Sequence, residues 1–216
     1  MAYDLEEQEQ LDSLKAWWGK YGNMATWVVI AGLAAYSGWT GWTYYQRTQS
    51  TQASALYDEL RNAVEKDNAK VQRAAADMES RFGSTVYAQM GALTAAKSAF
   101  EAKDNKAAKA QLQWVIEHGT DEYKAMAKIR LAGVLLDEKA YDAALKALDG
   151  DIPPAFAASV NDRKGDILAA QQKLAEARTA YQAALDKTDK KSPARQLIEL
   201  KFEAVGGVVP EEKPAA

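Results

Sequence analysis

Apolar residues recur at the three- and four-residue spacing of an α-helix from Gln49 onward, and no run of strand length is rich in β-branched residues. Polar segments interrupt this pattern at positions 67–68, 82–84, 104–105, 118–120, 150–154 and 189–193. Their Asp, Asn, Ser and Thr side chains are typical N-caps of helices. The pattern therefore predicts an all-helical domain, with Gly119 in a left-handed turn and with Ser192 and Pro193 opening the last helix.

The predicted helices form pairs that repeat about every 34 residues. Markers of the second helix are Ala107, Ala110 and Trp114, then Tyr141, Ala144 and Leu148, then Leu174, Ala177 and Tyr181, with a weaker copy at Val71, Ala74 and Met78. This spacing, with a small residue where two helices cross, is the tetratricopeptide period. Gly165 supplies the small residue of a first helix. An ordinary helical bundle is the alternative interpretation.

The same register predicts a concave, protein-binding groove along the first helices. If Ser98, Ala132 and Gly165 are equivalent, the positions three before, one after and four after each should line it. These positions are Ala95, Ala99, Ala102, Ile129, Gly133, Leu136, Asp162, Asp166 and Ala169. None is Lys, Arg or Asn, so we expect an apolar helix or extended segment as ligand, with a basic residue near the two aspartates. The alternative is that the chain's own last helix fills the groove.

Residues 21–46 contain no charged side chain, although 26% of the whole sequence is charged. As a helix, positions 24–45 would reach about 33 Å, against a hydrocarbon core of roughly 30 Å. Trp and Tyr residues flank both ends, as at membrane interfaces. The stretch predicts a single transmembrane helix, against two alternatives, a buried core helix and a signal peptide. Lys15 and Lys20 before it, against Arg47 after it, predict a cytoplasmic amino terminus and an exported remainder.

Charge is concentrated before this stretch. Positions 1–20 hold five acidic and two basic residues, which accounts for the formal charge of −3. The rest of the chain is balanced, so we expect no nucleic-acid binding. Leu11, Leu14 and Trp18 share a helical face, which fits either a helix at the membrane surface or a solvated tail.

Catalytic chemistry has few candidates in this sequence. It contains no cysteine and one histidine, and it lacks the common nucleotide and zinc-protease motifs. His118 stands where a helix should end, so we expect it to meet free carbonyl groups there. We therefore predict a protein that is not an enzyme and has no cofactor or metal site. The predicted organisation is a cytoplasmic tail at 1–20, a membrane helix at 21–46, repeats at 47–205 and a disordered tail at 206–216.

An acidic tail, one span and a tetratricopeptide-like domain together resemble the YfgM family, the ancillary subunit of the SecYEG translocon in Gram-negative inner membranes. The resembling stretches are MATWVVIAGLAAYSGWTGWTYYQ, IRLAGVLLDEKAYDAALKALDG, FAASVNDRKGDILAAQQKLAEARTAYQAAL and SPARQLIELKF. The resemblance implies a single-pass inner-membrane protein beside SecYEG. Its periplasmic repeat domain would bind the chaperone PpiD and assist exported proteins. The alternative implied role is restraint of a response regulator of the RcsB type through the cytoplasmic tail.

Overall fold

A computed structural model describes residues 2–64 and 66–209, with side chains from Glu7 onward. The regular elements in this part of the chain are helices, which confirms the predicted all-α fold. Their bounds are α1 Ala2–Ala63, α2 Asn68–Phe82, α3 Val86–Glu101, α4 Asn105–His118, α5 Asp121–Asp137, α6 Tyr141–Ala147, α7 Ala157–Ala170, α8 Leu174–Lys187 and α9 Pro193–Ala204, with a 3₁₀ turn at Pro154–Phe156. The chain divides into two compact units after Thr51.

The first unit is formed by α1 up to Thr51. It is helical from Ala2, so the described part of the acidic segment is ordered as helix. Large apolar side chains along it are exposed, including Trp18 at 59% and Leu33 at 61%. Within residues 2–64 and 66–209, no helix combines the length and the apolar character that crossing a membrane requires. The span predicted at 21–46 falls inside α1 and is not confirmed.

The second unit contains antiparallel pairs α3/α4, α5/α6 and α7/α8, and neighbouring pairs pack against each other. The end of α1 contributes to the same unit, since Leu60 is fully buried beside Val71 and Met78 of α2. In the part of this unit that the structure describes, four clusters of buried apolar residues follow one another along the stack. Each pair thus buries its apolar face against the next, as stacked repeats do.

The three complete pairs turn in the same way. Each first helix ends at a residue in the left-handed region: Lys103 with φ 64°, Lys139 with φ 59° and Gln172 with φ 63°. The following amide closes a six-residue hydrogen bond back into the helix, for example from the Asp104 N–H to the Ala99 carbonyl at 2.8 Å. This is a Schellman motif built without glycine. The three turns share this geometry, which identifies the repeat independently of the sequence pattern.

Helix α9 ends in the same turn. Gly206 has φ 83°, and the Gly207 N–H donates to the Phe202 carbonyl at 2.9 Å. By this geometry α9 corresponds to the first helix of a further unit. Val205 is buried and Val209 contacts the α8/α9 cluster, so the predicted disordered tail does not begin at position 206. Positions 210–216 lie outside the described residues.

The second helices share a register that differs from the predicted one in α4. Counting four residues from each N-cap gives Val71, Ala108, Ala144 and Ala177, all with no exposed surface. Ala110, the predicted partner of Ala144, is exposed. Ala108 takes its place because the spacing between these two units is two residues longer than the assumed period. In α2, Ala75 is fully buried and Ala74 only partly.

The other predicted second-helix markers occupy mixed environments. Leu148 and Tyr181 are buried, whereas Leu174 is 44% exposed. Ala107, Trp114 and Tyr141 are partly buried. A Cβ atom at Gly165 would overlap the Tyr181 ring, so the α7/α8 crossing requires glycine there.

Side-chain capping follows the predicted breaks at several helix starts. The carboxylate of Asp67 accepts from the Lys70 N–H at 3.0 Å, and Asp104 accepts from the Ala107 N–H at 3.0 Å. Ser192 precedes Pro193 at the start of α9, as predicted. The left-handed turn predicted at Gly119 is wrong, because its φ is −75°. Glycine is needed there for space, since a Cβ atom would lie 2.6 Å from the Val115 carbonyl oxygen.

Candidate protein-binding groove

Successive first helices α3, α5 and α7 form an open groove of about 430 Å³ in the second unit, here called the α3–α5–α7 groove. Its lining residues are Ala96, Lys97, Phe100, Leu112, Arg130, Gly133, Val134, Asp137 and Arg163. Phe100 is half-buried and supplies apolar surface, whereas Leu112 and Val134 are almost fully buried in the groove wall. Three basic side chains and one acidic side chain share the groove with them.

Of the residues predicted to line the groove, Gly133 does so. Ala95 and Ala99 are fully buried between helices, and Ala102 is exposed at the end of α3. Ile129 and Leu136 are partly buried against the α5/α6 cluster. These aliphatic side chains therefore belong largely to the packing of the stack.

A register shift explains this difference in α3. Counting seven residues back from each left-handed turn gives Ala96, Ala132 and Gly165, all buried. Ala96 is therefore the counterpart of Ala132, in place of Ser98. The groove positions of α3 move with it by two residues, and the structure places Lys97 and Phe100 in the groove. The expectation of a groove without lysine or arginine is corrected accordingly.

Arg130 and Arg163 bring guanidinium groups to this groove from α5 and α7. Arg130 makes one long hydrogen bond, from its Nη1 to the Leu93 carbonyl oxygen at 3.4 Å. Among the described residues, no carboxylate forms an ion pair with it. Desolvation by the surrounding protein lowers the pKa of Arg130, and its side chain still reaches solvent. A guanidinium in this setting keeps its charge and has unused donors.

Arg163 lies across Gly133. Its Cζ atom would be 3.6 Å from a Cβ atom at position 133, which is ordinary contact. One guanidinium nitrogen pairs with Asp166 at 3.2 Å. Its Nε is buried and has no hydrogen-bond partner in the described part of the chain. Both arginines thus retain donors that the described residues do not satisfy.

The two aspartates predicted to attract a basic residue are occupied by Lys201 of the chain's own α9. Its Nζ lies 2.8 Å from Asp162 and 2.9 Å from Asp166, and the Tyr181 hydroxyl donates to Asp166 at 3.0 Å. Ala169 is partly buried against the α8/α9 cluster nearby. This end of the predicted groove is therefore closed by the last helix, as the alternative interpretation expected.

Burial sets the protonation behaviour of this cluster. It raises the pKa of Asp162, because desolvation and the charge of Asp166 outweigh the hydrogen bond from Lys201. Burial alone would lower the pKa of Lys201, but its bonds to both aspartates raise it above the ordinary lysine value. Desolvation and the adjacent Asp166 also raise the pKa of Tyr181. At neutral pH the lysine is charged and the tyrosine keeps its proton.

His118 occupies the last turn of α4, and its Nδ1 lies 3.0 Å from the Trp114 carbonyl oxygen, as expected for a helix end. Its ring stacks on Trp114 with centroids 4.9 Å apart. Burial raises the pKa of the nearby Glu79. His, Asp and Glu side chains form no metal-binding group among residues 2–64 and 66–209.

Comparison with known proteins gives the same architecture. The tetratricopeptide repeat-like domain family matches residues 15–207. A Neisseria gonorrhoeae protein named ancillary SecYEG translocon subunit is 34% identical, covering 95% of this chain and 100% of the relative. The chain belongs to this family. Ancillary SecYEG translocon subunits of Haemophilus influenzae and Escherichia coli are 31% and 29% identical over 85% and 91% of this chain, covering 91% and 95% of the relatives. No solved structure matched the chain.

Membership in the ancillary SecYEG translocon subunit family confirms the resemblance to YfgM and the tetratricopeptide-like repeats. The sequence pattern did not reveal the groove arginines, because Arg130 and Arg163 fall outside the positions used to trace a consensus groove. The signal that could have found them is their shared position, because Arg130 and Arg163 each stand two residues before the small residue of their helix, Ala132 and Gly165.

Proposed function

We propose that this protein is a non-enzymatic adaptor of the SecYEG translocon. In this role its repeat domain binds a membrane-anchored periplasmic chaperone of the PpiD type and assists exported proteins. The observation that carries the proposal is the open α3–α5–α7 groove, in a chain that matches an ancillary translocon subunit over 95% of its length. Helical repeats offer such surfaces to other proteins.

Site-specific photo-crosslinking in native membranes tests this proposal. A photoreactive residue at Lys97 faces the groove, and one at Ala110 lies on an exposed face of α4. We expect the groove probe to capture the chaperone and translocon subunits to copurify with the chain. Absence of translocon subunits from every probed complex would contradict the adaptor role.

Residues 21–46 supply the membrane attachment in this proposal. They carry no charged side chain, and exposed Val28, Ile30 and Leu33 lie among them. Apolar side chains flanked by Trp and Tyr favour the bilayer interface and interior. We propose that the chain remains with membranes after alkaline extraction. The positions of Lys15, Lys20 and Arg47 favour a periplasmic repeat domain, which protease added to intact spheroplasts would then digest.

The alternative role assigns regulation to the amino-terminal segment. Leu11, Leu14 and Trp17 lie on one side of α1 and border a shallow depression there. This apolar side could receive a cytoplasmic response regulator of the RcsB type. Deleting residues 2–20 separates the two roles: retained chaperone crosslinks with unchanged regulation favour the adaptor, and lost regulation favours the alternative.

A further inference from the structure

The α3–α5–α7 groove combines an excess of positive charge with apolar surface. Lys97, Arg130 and Arg163 line it, and Asp137 is the one acidic residue among the lining residues described. Lys97 has only an exposed partner, Glu101, at 3.6 Å. Such exposed pairs are weak and are easily exchanged for a new partner. Arg163 pairs with Asp166 at 3.2 Å, which leaves Arg130 as the lining cation without an ion-pair partner among the described residues. The three cations against one carboxylate in the lining favour a negatively charged ligand.

Unsatisfied donors point in the same direction. The Nε of Arg163 is buried without a hydrogen-bond partner, and the guanidinium of Arg130 makes one bond of 3.4 Å to a carbonyl. Arg130 is exposed, so its free N–H groups are accessible to a ligand carboxylate, which would accept charge-assisted bonds from them. The guanidinium groups of Arg130 and Arg163 come from α5 and α7 and line one cavity, so one acidic ligand could meet both.

The apolar residues that line the groove determine which groups a ligand must carry beside its negative charge. Phe100, Leu112 and Val134 border the same cavity, and Gly133 leaves space beneath the Arg163 guanidinium. A free inorganic anion would leave this surface uncovered. A peptide that carries an acidic residue beside an aromatic or aliphatic one would cover both parts.

We infer that the α3–α5–α7 groove binds an extended acidic segment of a partner protein, in which Asp or Glu alternates with large apolar residues. The acidic side chains pair with Arg130 and Arg163, and the apolar ones contact Phe100. This inference rests on the proposed function, because it names the chemistry of a partner for the same groove.

Two capped, fluorescein-labelled peptides test the inference against the full-length protein in detergent. One has the sequence Ser-Leu-Glu-Phe-Asp-Leu-Ser, and the other replaces Glu and Asp by Gln and Asn. We expect the acidic peptide to bind at least tenfold more tightly, measured by fluorescence anisotropy, and to weaken as NaCl is raised. Equal binding of the two peptides would overturn the inference.

Variants locate the binding. Arg130→Gln should reduce affinity for the acidic peptide about tenfold, since one charge-assisted pair is lost. Gly133→Leu should reduce it by filling the groove without changing charge. The matched control is Lys146→Gln, which removes one exposed charge from α6 and should leave affinity unchanged. Equal losses in Arg130→Gln and Lys146→Gln would show a nonspecific charge effect and contradict the groove assignment.

Two further measurements separate the remaining outcomes. Truncation after Val209 removes Glu211 and Glu212, and a resulting rise in peptide affinity would assign the groove to the chain's own end and overturn a partner ligand. Crosslinking to translocon subunits is followed in parallel. If translocon crosslinks form but the acidic and the neutral peptide bind equally, this inference is wrong and the adaptor role stands. If the unmodified chain forms no translocon crosslinks, the adaptor role is wrong.

Discussion

Ala108 and Ala110 lie two positions apart on α4, and they differ in burial. Ala108 is fully buried at the α4 crossing, whereas Ala110 is exposed on the same helix. Ala108→Leu should overpack that crossing and cost about 1 to 3 kcal/mol of unfolding free energy. Ala110→Leu should change it by less than about 0.5 kcal/mol, as at other surface sites. Urea denaturation of both variants checks the repeat register, and equal midpoints would contradict it.

Tyr181 and Lys201 make stability depend on alkaline pH. Both pKa values are raised in the folded state, so the unfolded chain loses these protons first and stability falls as pH rises. The decline begins near the ordinary values of 10.0 and 10.5. Tyr181→Phe should flatten the fall in melting temperature between about pH 9.5 and 11.5. Tyr36→Phe, at a side chain 70% exposed, is the control and should keep the original slope.

The turns between paired helices are determined by the packing of the two helices more than by the residue types in the turn. Sequence signals located the helix starts at Asp67 and Asp104, because carboxylates there cap free amides. They did not locate the turns at Lys139 and Gln172, since neither residue type marks a left-handed conformation. Tertiary packing and the Schellman hydrogen bonds impose these turns. They were therefore not predictable from local composition.

Lys139 provides a test of this imposed turn. A non-glycine residue in the left-handed region is strained by about 1 kcal/mol, so Lys139→Gly should be neutral or stabilising. The same substitution at Lys146, inside α6, should destabilise by about 1 kcal/mol because glycine is a poor helix former. Opposite signs of the change in urea midpoint are the expected outcome. Destabilisation of equal size at both positions would refute the strain argument.

At the scale of the whole molecule, the sequence predicted stacked helix pairs and the closing role of the last helix. It did not predict the charge of the groove. Periodicity identifies which residues are buried, but a constant repeat length was needed to transfer groove positions between units. The spacing between α3 and α5, measured between their left-handed turns at Lys103 and Lys139, is two residues longer than the assumed period. The groove positions of α3 are therefore Lys97 and Phe100 where the constant period gave Ala99 and Ala102.

The second unit should fold without the first, and its boundary is testable. Leu60 is fully buried against Val71 and Met78, so the end of α1 belongs to the repeat stack. A fragment beginning at Gln52 should melt cooperatively. A fragment beginning at Lys66 should lose at least about 1.5 to 3 kcal/mol, the value of one buried leucine. Thermal melts of equal midpoint would show that α1 contributes nothing to this core.

Helix α9 ends in the same left-handed turn as α3, α5 and α7, so it corresponds to the first helix of a repeat. Leu197 and Leu200 are 56% and 64% exposed on α9, and no second helix covers them within residues 66–209. A second helix can therefore be fused to the chain directly after Gly207. A grafted helix with alanine at the fourth position after its N-cap would complete the unit, and its gain in melting temperature would measure how far this scaffold can be lengthened.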